Sequence, residues 1–176
     1  MYKALFLTTA LVLAGVAEAH NVYAEAPHVS TGIEIGGKQV TLTYQSIELG
    51  QGRSFGRLTA GETQKNATAY QRILSRLKQV GELETGVALV FGDKRVEPGK
   101  YYMGFHCDET GAYSIIVSTA DEKMTEVARQ PLPLADTPDK APFLSQVLGR
   151  AMEKSEIAYS VHFGDKKGGA TLKLAP

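Results

Sequence analysis

Residues 101–117 read Tyr101-Tyr102-Met103-Gly104-Phe105-His106-Cys107-Asp108-Glu109-Thr110-Gly111-Ala112-Tyr113-Ser114-Ile115-Ile116-Val117. Tyr101, Met103, Phe105 and Cys107 take every second position, and Tyr113, Ile115 and Val117 resume the alternation after Asp108-Glu109-Thr110-Gly111. Successive strand side chains point to opposite faces, so this pattern predicts two strands with one buried face each. The turn between them carries a glycine free to take positive φ, which predicts an antiparallel hairpin.

The same period extends in both directions. Val40, Leu42 and Tyr44 alternate with Gln39, Thr41, Thr43 and Gln45, and Val87, Leu89 and Phe91 form a similar set. Ile157, Tyr159, Val161 and Phe163 repeat it, with weaker candidates at 29–35 and 171–174. Gly36-Gly37 closes a hairpin between the first two strands, Gly92 through Gly99 joins two more, and Gly164 to Gly169 turns the last pair. About seven one-sided strands need a second apolar layer, so the expected fold is mainly β, an antiparallel β-sandwich.

Two stretches carry helical spacing. In residues 64–80, Tyr70, Ile73, Leu74 and Leu77 share one face, with Thr63 as N-cap and Gly81 at C′. In residues 143–152, Phe143, Leu144, Val147, Leu148, Ala151 and Met152 form a second amphipathic set. A short helical piece is expected within 121–129, and the proline-rich stretch 129–142 is expected to be a loop. No internal repeat or second domain is visible.

The first 19 residues read as a signal peptide. Lys3 gives a positive end, an apolar run follows, and Ala17-Glu18-Ala19 supplies the small-x-small pattern for cleavage. The domain is therefore expected to span residues 20–176, periplasmic or secreted, with no membrane anchor in the mature chain. Val16 stands where a lipidated cysteine would follow Leu13-Ala14-Gly15. The one cysteine, Cys107, permits no intramolecular disulfide. Lys plus Arg balance Asp plus Glu at 19 each, which excludes a strongly basic nucleic-acid binder.

Arg53-Ser54-Phe55-Gly56-Arg57-Leu58, then Phe91-Gly92-Asp93-Lys94, then Glu97-Pro98-Gly99-Lys100-Tyr101 and the hairpin to Val117 make a recognisable series. It resembles a secreted bacterial family of β-sandwich domains of unknown function, whose members carry an R-x-x-F-G-x-L segment and a P-G-x-Y strand start. The resemblance spans residues 28–164 and implies a secreted sandwich; it carries no catalytic residues over.

Candidate chemistry is sparse. Cleavage after Ala19 would expose His20, whose α-amine and imidazole make a bidentate copper chelate, with His28, His106 and His162 as further ligands. This copper-binding reading is the alternative. His106 and His162 lie on the strand parity that points away from the core. For the same reason His106 cannot activate its neighbour Cys107, which falls on the apolar parity. Residues 32–38 imitate a phosphate-binding loop, but Gln39 replaces its Ser/Thr and a strand follows. The glycine-rich stretch 50–61 offers Arg53 and Arg57 as holders of an anionic ligand. The leading expectation is a non-enzymatic binding or interaction module of the bacterial envelope, using exposed sheet edges or the Arg53/Arg57 loop. Its partner would be an envelope protein or a small ligand.

Overall fold

The computed structural model describes residues 26–47 and 75–176. Ten strands lie among them: β1 (His28–Ile35), β2 (Lys38–Gln45), β3 (Gly81–Thr85), β4 (Leu89–Phe91), β5 (Lys94–Val96), β6 (Gly99–Cys107), β7 (Tyr113–Thr119), β8 (Glu126–Pro131), β9 (Leu134–Arg150) and β10 (Glu156–Leu174). They form a six-stranded sheet in the order β1-β2-β3-β6-β7-β8 and a four-stranded sheet in the order β5-β4-β10-β9. Every pairing is antiparallel.

The hairpins follow the glycines. Gly36 and Gly37 at φ 58° and 79° turn β1 into β2, and Gly111 at φ 87° turns β6 into β7. Inner-face residues of both sheets meet in one apolar cluster, with Leu42, Leu83, Phe105 and Ile115 from the larger sheet and Phe91, Leu148, Tyr159 and Phe163 from the smaller. Burial of that area removes apolar surface from water and is the main force joining the sheets.

β10 is long because it doubles back. The Leu174 amide donates to the Ser155 carbonyl at 2.8 Å, and a Cβ on Gly169 would lie 2.5 Å from the Tyr159 carbonyl oxygen. The end of β10 therefore runs beside its own start and pairs with β4, while Gly164–Gly168, expected as a turn, stay in the strand and pair with β9 across register shifts.

Four further expectations need correction. Residues 143–152 are not a helix; their first eight residues belong to β9. The spacing misleads because Gln146, a polar residue, occupies a buried position between Leu144 and Leu148 and hides the period of two. The helical piece at 121–129 is a turn followed by β8, and the expected loop at 129–142 lies largely in β8 and β9. Most of the helix at 64–80 lies outside the described residues; residues 75–77 are helical, and Gly81 opens β3 instead of capping that helix.

The edges of the sheets are tied to each other. On one side β1 and β2 contact β9. Thr31 Oγ1 accepts from the Leu148 amide at 3.1 Å, Ser46 Oγ donates to the Leu144 carbonyl at 3.1 Å, and the Leu144 amide donates to the Ile47 carbonyl at 2.9 Å. On the other side Gln130 bridges the sheets, accepting from the Gly92 amide at 3.3 Å and donating to the Thr171 carbonyl at 2.9 Å. Thr31→Val keeps the shape and removes the acceptor of the Leu148 amide. Its expected cost is about 1 kcal/mol, read as a lower urea midpoint at unchanged slope.

Candidate functional site

The sequence candidates fall in different places. His20, Arg53 and Arg57 lie outside the described residues. His28 is exposed at the start of β1, on the edge of the larger sheet. His106 lies on β6 in the middle of that sheet, and His162 on β10 of the smaller sheet, its Nε2 2.9 Å from the Asp139 carbonyl oxygen. The structure does not gather these three histidines: among the described residues no group of three or more His, Cys, Asp or Glu is placed to hold a metal ion.

Two surface features stand out. The first is on the outer face of the larger sheet. Pairing places Gly104 beside Ile116 and Arg129, His106 beside Ser114 and Pro131, and Tyr102 beside Ser118 and Glu126. Such rows share a face. This outer face is covered at its centre, since Ile116 and Ser118 are fully buried. The cover includes the segment 75–80. A Cβ on Gly104 would lie 2.0 Å from the Leu77 carbonyl oxygen and 2.7 Å from the Lys78 Cα, so only a glycine lets that backbone approach. Gln79 reaches on to the Met124 sulfur, linking the cover to the turn before β8.

Charged groups gather beside this contact. Arg129 grips Glu126 with two hydrogen bonds, Nε to Oε1 at 2.8 Å and a terminal nitrogen to Oε2 at 2.7 Å. The pairing holds the Glu126 carboxyl below its usual value and raises Arg129. His106 is held below the ordinary histidine value by its burial first and then by Arg129, with Lys78 adding to the effect and Glu126 and Asp108 opposing it. Asp108 serves the turn: it accepts from the Thr110 amide at 2.8 Å, the Thr110 hydroxyl at 2.7 Å and the Ala112 amide at 3.0 Å, which lowers its carboxyl. Cys107 is buried, and desolvation pushes its thiol up.

No family model, no curated protein and no solved structure matches this chain.

The second feature is on the hairpin of β9 and β10. Phe143 and Val147 lie on one parity of β9, opposite to the buried Leu144, Gln146 and Leu148. They are 46% and 47% exposed, and Met152 in the connecting turn is 103% exposed. Val147 pairs with Ser160 and Ser145 with His162, so the apolar side chains stand on an otherwise small and polar face.

The sequence contained signals for both features that the helical reading concealed. Phe143 and Val147 belong by spacing to an amphipathic helical set, but lie on a strand and face water. Gly104 in mid-strand was the available sign of a close backbone approach. No helix among the described residues is long and apolar enough to cross a membrane.

Proposed function

We propose that the chain is an exported, soluble β-sandwich of the bacterial envelope that works by binding a partner and not by catalysis. The observation that carries this reading is the outward apolar row of the β9–β10 hairpin, Phe143 and Val147 with Met152 at its tip. Large apolar side chains held in water by a strand are unfavourable where they stand and gain free energy when covered. The sheet edges are weaker candidates than the sequence suggested, because the polar groups of β9 at Leu144 and Leu148 are already used by Ile47, Ser46 and Thr31. The partner class that fits is another envelope protein presenting a small apolar surface. The signal peptide at 1–19, the balanced charge and the resemblance to secreted sandwich domains support the rest of the reading.

The test places a photo-reactive cross-linker at Ser145, between the two apolar residues, in the protein expressed in its own export compartment. A discrete cross-linked species is expected, and the paired change Phe143→Ser with Val147→Ser should reduce its yield about tenfold. Both positions are surface ones, so the melting midpoint should hardly move. A yield unaffected by the paired change would remove this surface from consideration.

A further inference from the structure

We infer that the segment 75–80 is an acid-releasable cover on the outer face of the larger sheet, with His106 as its trigger. This goes beyond the binding reading and does not depend on it. The geometry has three parts. The Leu77–Lys78 backbone sits directly on Gly104, with the Leu77 and Val80 side chains buried. Ile116 and Ser118, the row neighbours of Gly104 and Tyr102 on the same face, are also withdrawn from water. His106 is two residues along β6 from Gly104 on the same face, beside the place where Lys78 comes down.

The charges around His106 make its protonation a local event. Lys78 faces it from the cover, Glu126 and Arg129 from β8, and Asp108 from the turn after β6. Its partner on β7 is the uncharged Ser114. With neutral imidazole the two cations and two carboxylates cancel. A proton on His106 leaves one positive charge in excess in a partly desolvated position, facing Lys78. Two of these penalties are relieved together when the segment lifts: the ring regains water, and the Lys78 ammonium moves away. Arg129 stays where it is, held by Glu126.

The direction follows from linkage. Burial and the neighbouring cations hold His106 below the ordinary histidine value, so the covered state takes up its proton at lower pH than the uncovered state does. The state that binds the proton more readily gains population as pH falls. Docking of the cover is therefore constant above the ordinary histidine range, weakens as pH falls through that range, and levels off once His106 is protonated in the covered state as well.

The test is hydrogen exchange on the whole protein at about pH 7.5 and about pH 5, corrected for intrinsic exchange. Amides of 75–80 are expected to exchange several-fold faster at the acidic pH, with the central strands β6 and β7 and the β9–β10 hairpin unchanged. His106→Gln should abolish that response, and Lys78→Met should reduce it. A response of equal size in His106→Gln, or one spread evenly over both sheets, would overturn the proposal. The titration of His106 by NMR in the unaltered protein gives a check that needs no variant to fold: a midpoint at the ordinary histidine value would also overturn it.

Discussion

Gly104→Ala should destabilise the protein by about 3 kcal/mol or more, at the upper end of what one added methyl group does. The reason is the identity of what the new Cβ meets. Its nearest neighbours are the Leu77 carbonyl oxygen at 2.0 Å and the Lys78 backbone at 2.6 and 2.7 Å, not the movable end of a side chain. The strand cannot yield easily either, because β6 is held between β3 and β7 in register along much of its length. Relief must come from the segment 75–80 moving off the sheet, which unseats Leu77 and Val80 from the core. Gly149→Ala is the matched control. Gly149 also lies in a strand, no heavy atom stands within 4 Å of its added Cβ, and its φ is not positive. There the loss of glycine's backbone freedom should leave stability unchanged or raise it by a few tenths of a kcal/mol, roughly the strand penalty of glycine in reverse. Urea unfolding of the two variants measures the contrast. The same Gly104→Ala chain should also lose the acid response of 75–80, because that segment would already be displaced at neutral pH. Equal stabilities for the two variants would mean that the cover does not rest on Gly104.

The central strands were legible because their apolar side chains do nothing but alternate. Met103, Phe105 and Cys107 on β6 and Ile115 and Val117 on β7 all reach the core, and the turn at Asp108–Gly111 forms where its chemistry placed it. β3 was missed for a physical reason. In Gly81-Glu82-Leu83-Glu84-Thr85 only Leu83 offers a large apolar side chain, and Gly81 and Thr85 are buried through close packing rather than hydrophobicity. β8 likewise places only Ala128 in the core. Strands that contribute one small contact leave almost no periodic trace.

The candidate site was less legible still, and the difference is one of range. A cluster such as Lys78, His106, Glu126 and Arg129 is assembled by strand register across β6, β7 and β8 and by a segment laid over them. No local spacing encodes that assembly. What sequence parity did give was the side of β6 on which His106 stands, and the structure bears that out by pairing it with Ser114 on the outer face. The Phe143–Val147 row shows the opposite failure. Helical spacing groups Phe143 and Val147 with Leu144 and Leu148 on one face, whereas the strand turns the first two to water and the last two to the core.

The core contains the cause of that misreading, and it leads to the second large effect. Tyr159→Phe should cost about 2 kcal/mol, whereas Tyr159→Phe combined with Gln146→Leu should cost far less than the sum of the two single changes. Gln146 is 1% exposed, and its Oε1 accepts from the Tyr159 hydroxyl at 2.7 Å. Burial, with Tyr44 beside it, pushes the Tyr159 phenol well above its ordinary value, so it remains a donor. The Gln146 amide nitrogen is buried with no hydrogen-bond partner. Removing the tyrosine hydroxyl thus leaves the whole amide unsatisfied in an apolar setting, a heavier penalty than the hydrogen bond was worth. Removing the amide as well takes away the unsatisfied Gln146 groups and puts a third apolar side chain in line with Leu144 and Leu148. A double-mutant cycle followed by urea unfolding should give a coupling energy of about 1–3 kcal/mol. Additive costs would mean that Tyr159 and Gln146 do not share a bond in solution. Coupling of the expected size would show that Tyr159 and Gln146 satisfy each other in the core, which is what lets a polar side chain hold an inward position of β9 between Leu144 and Leu148.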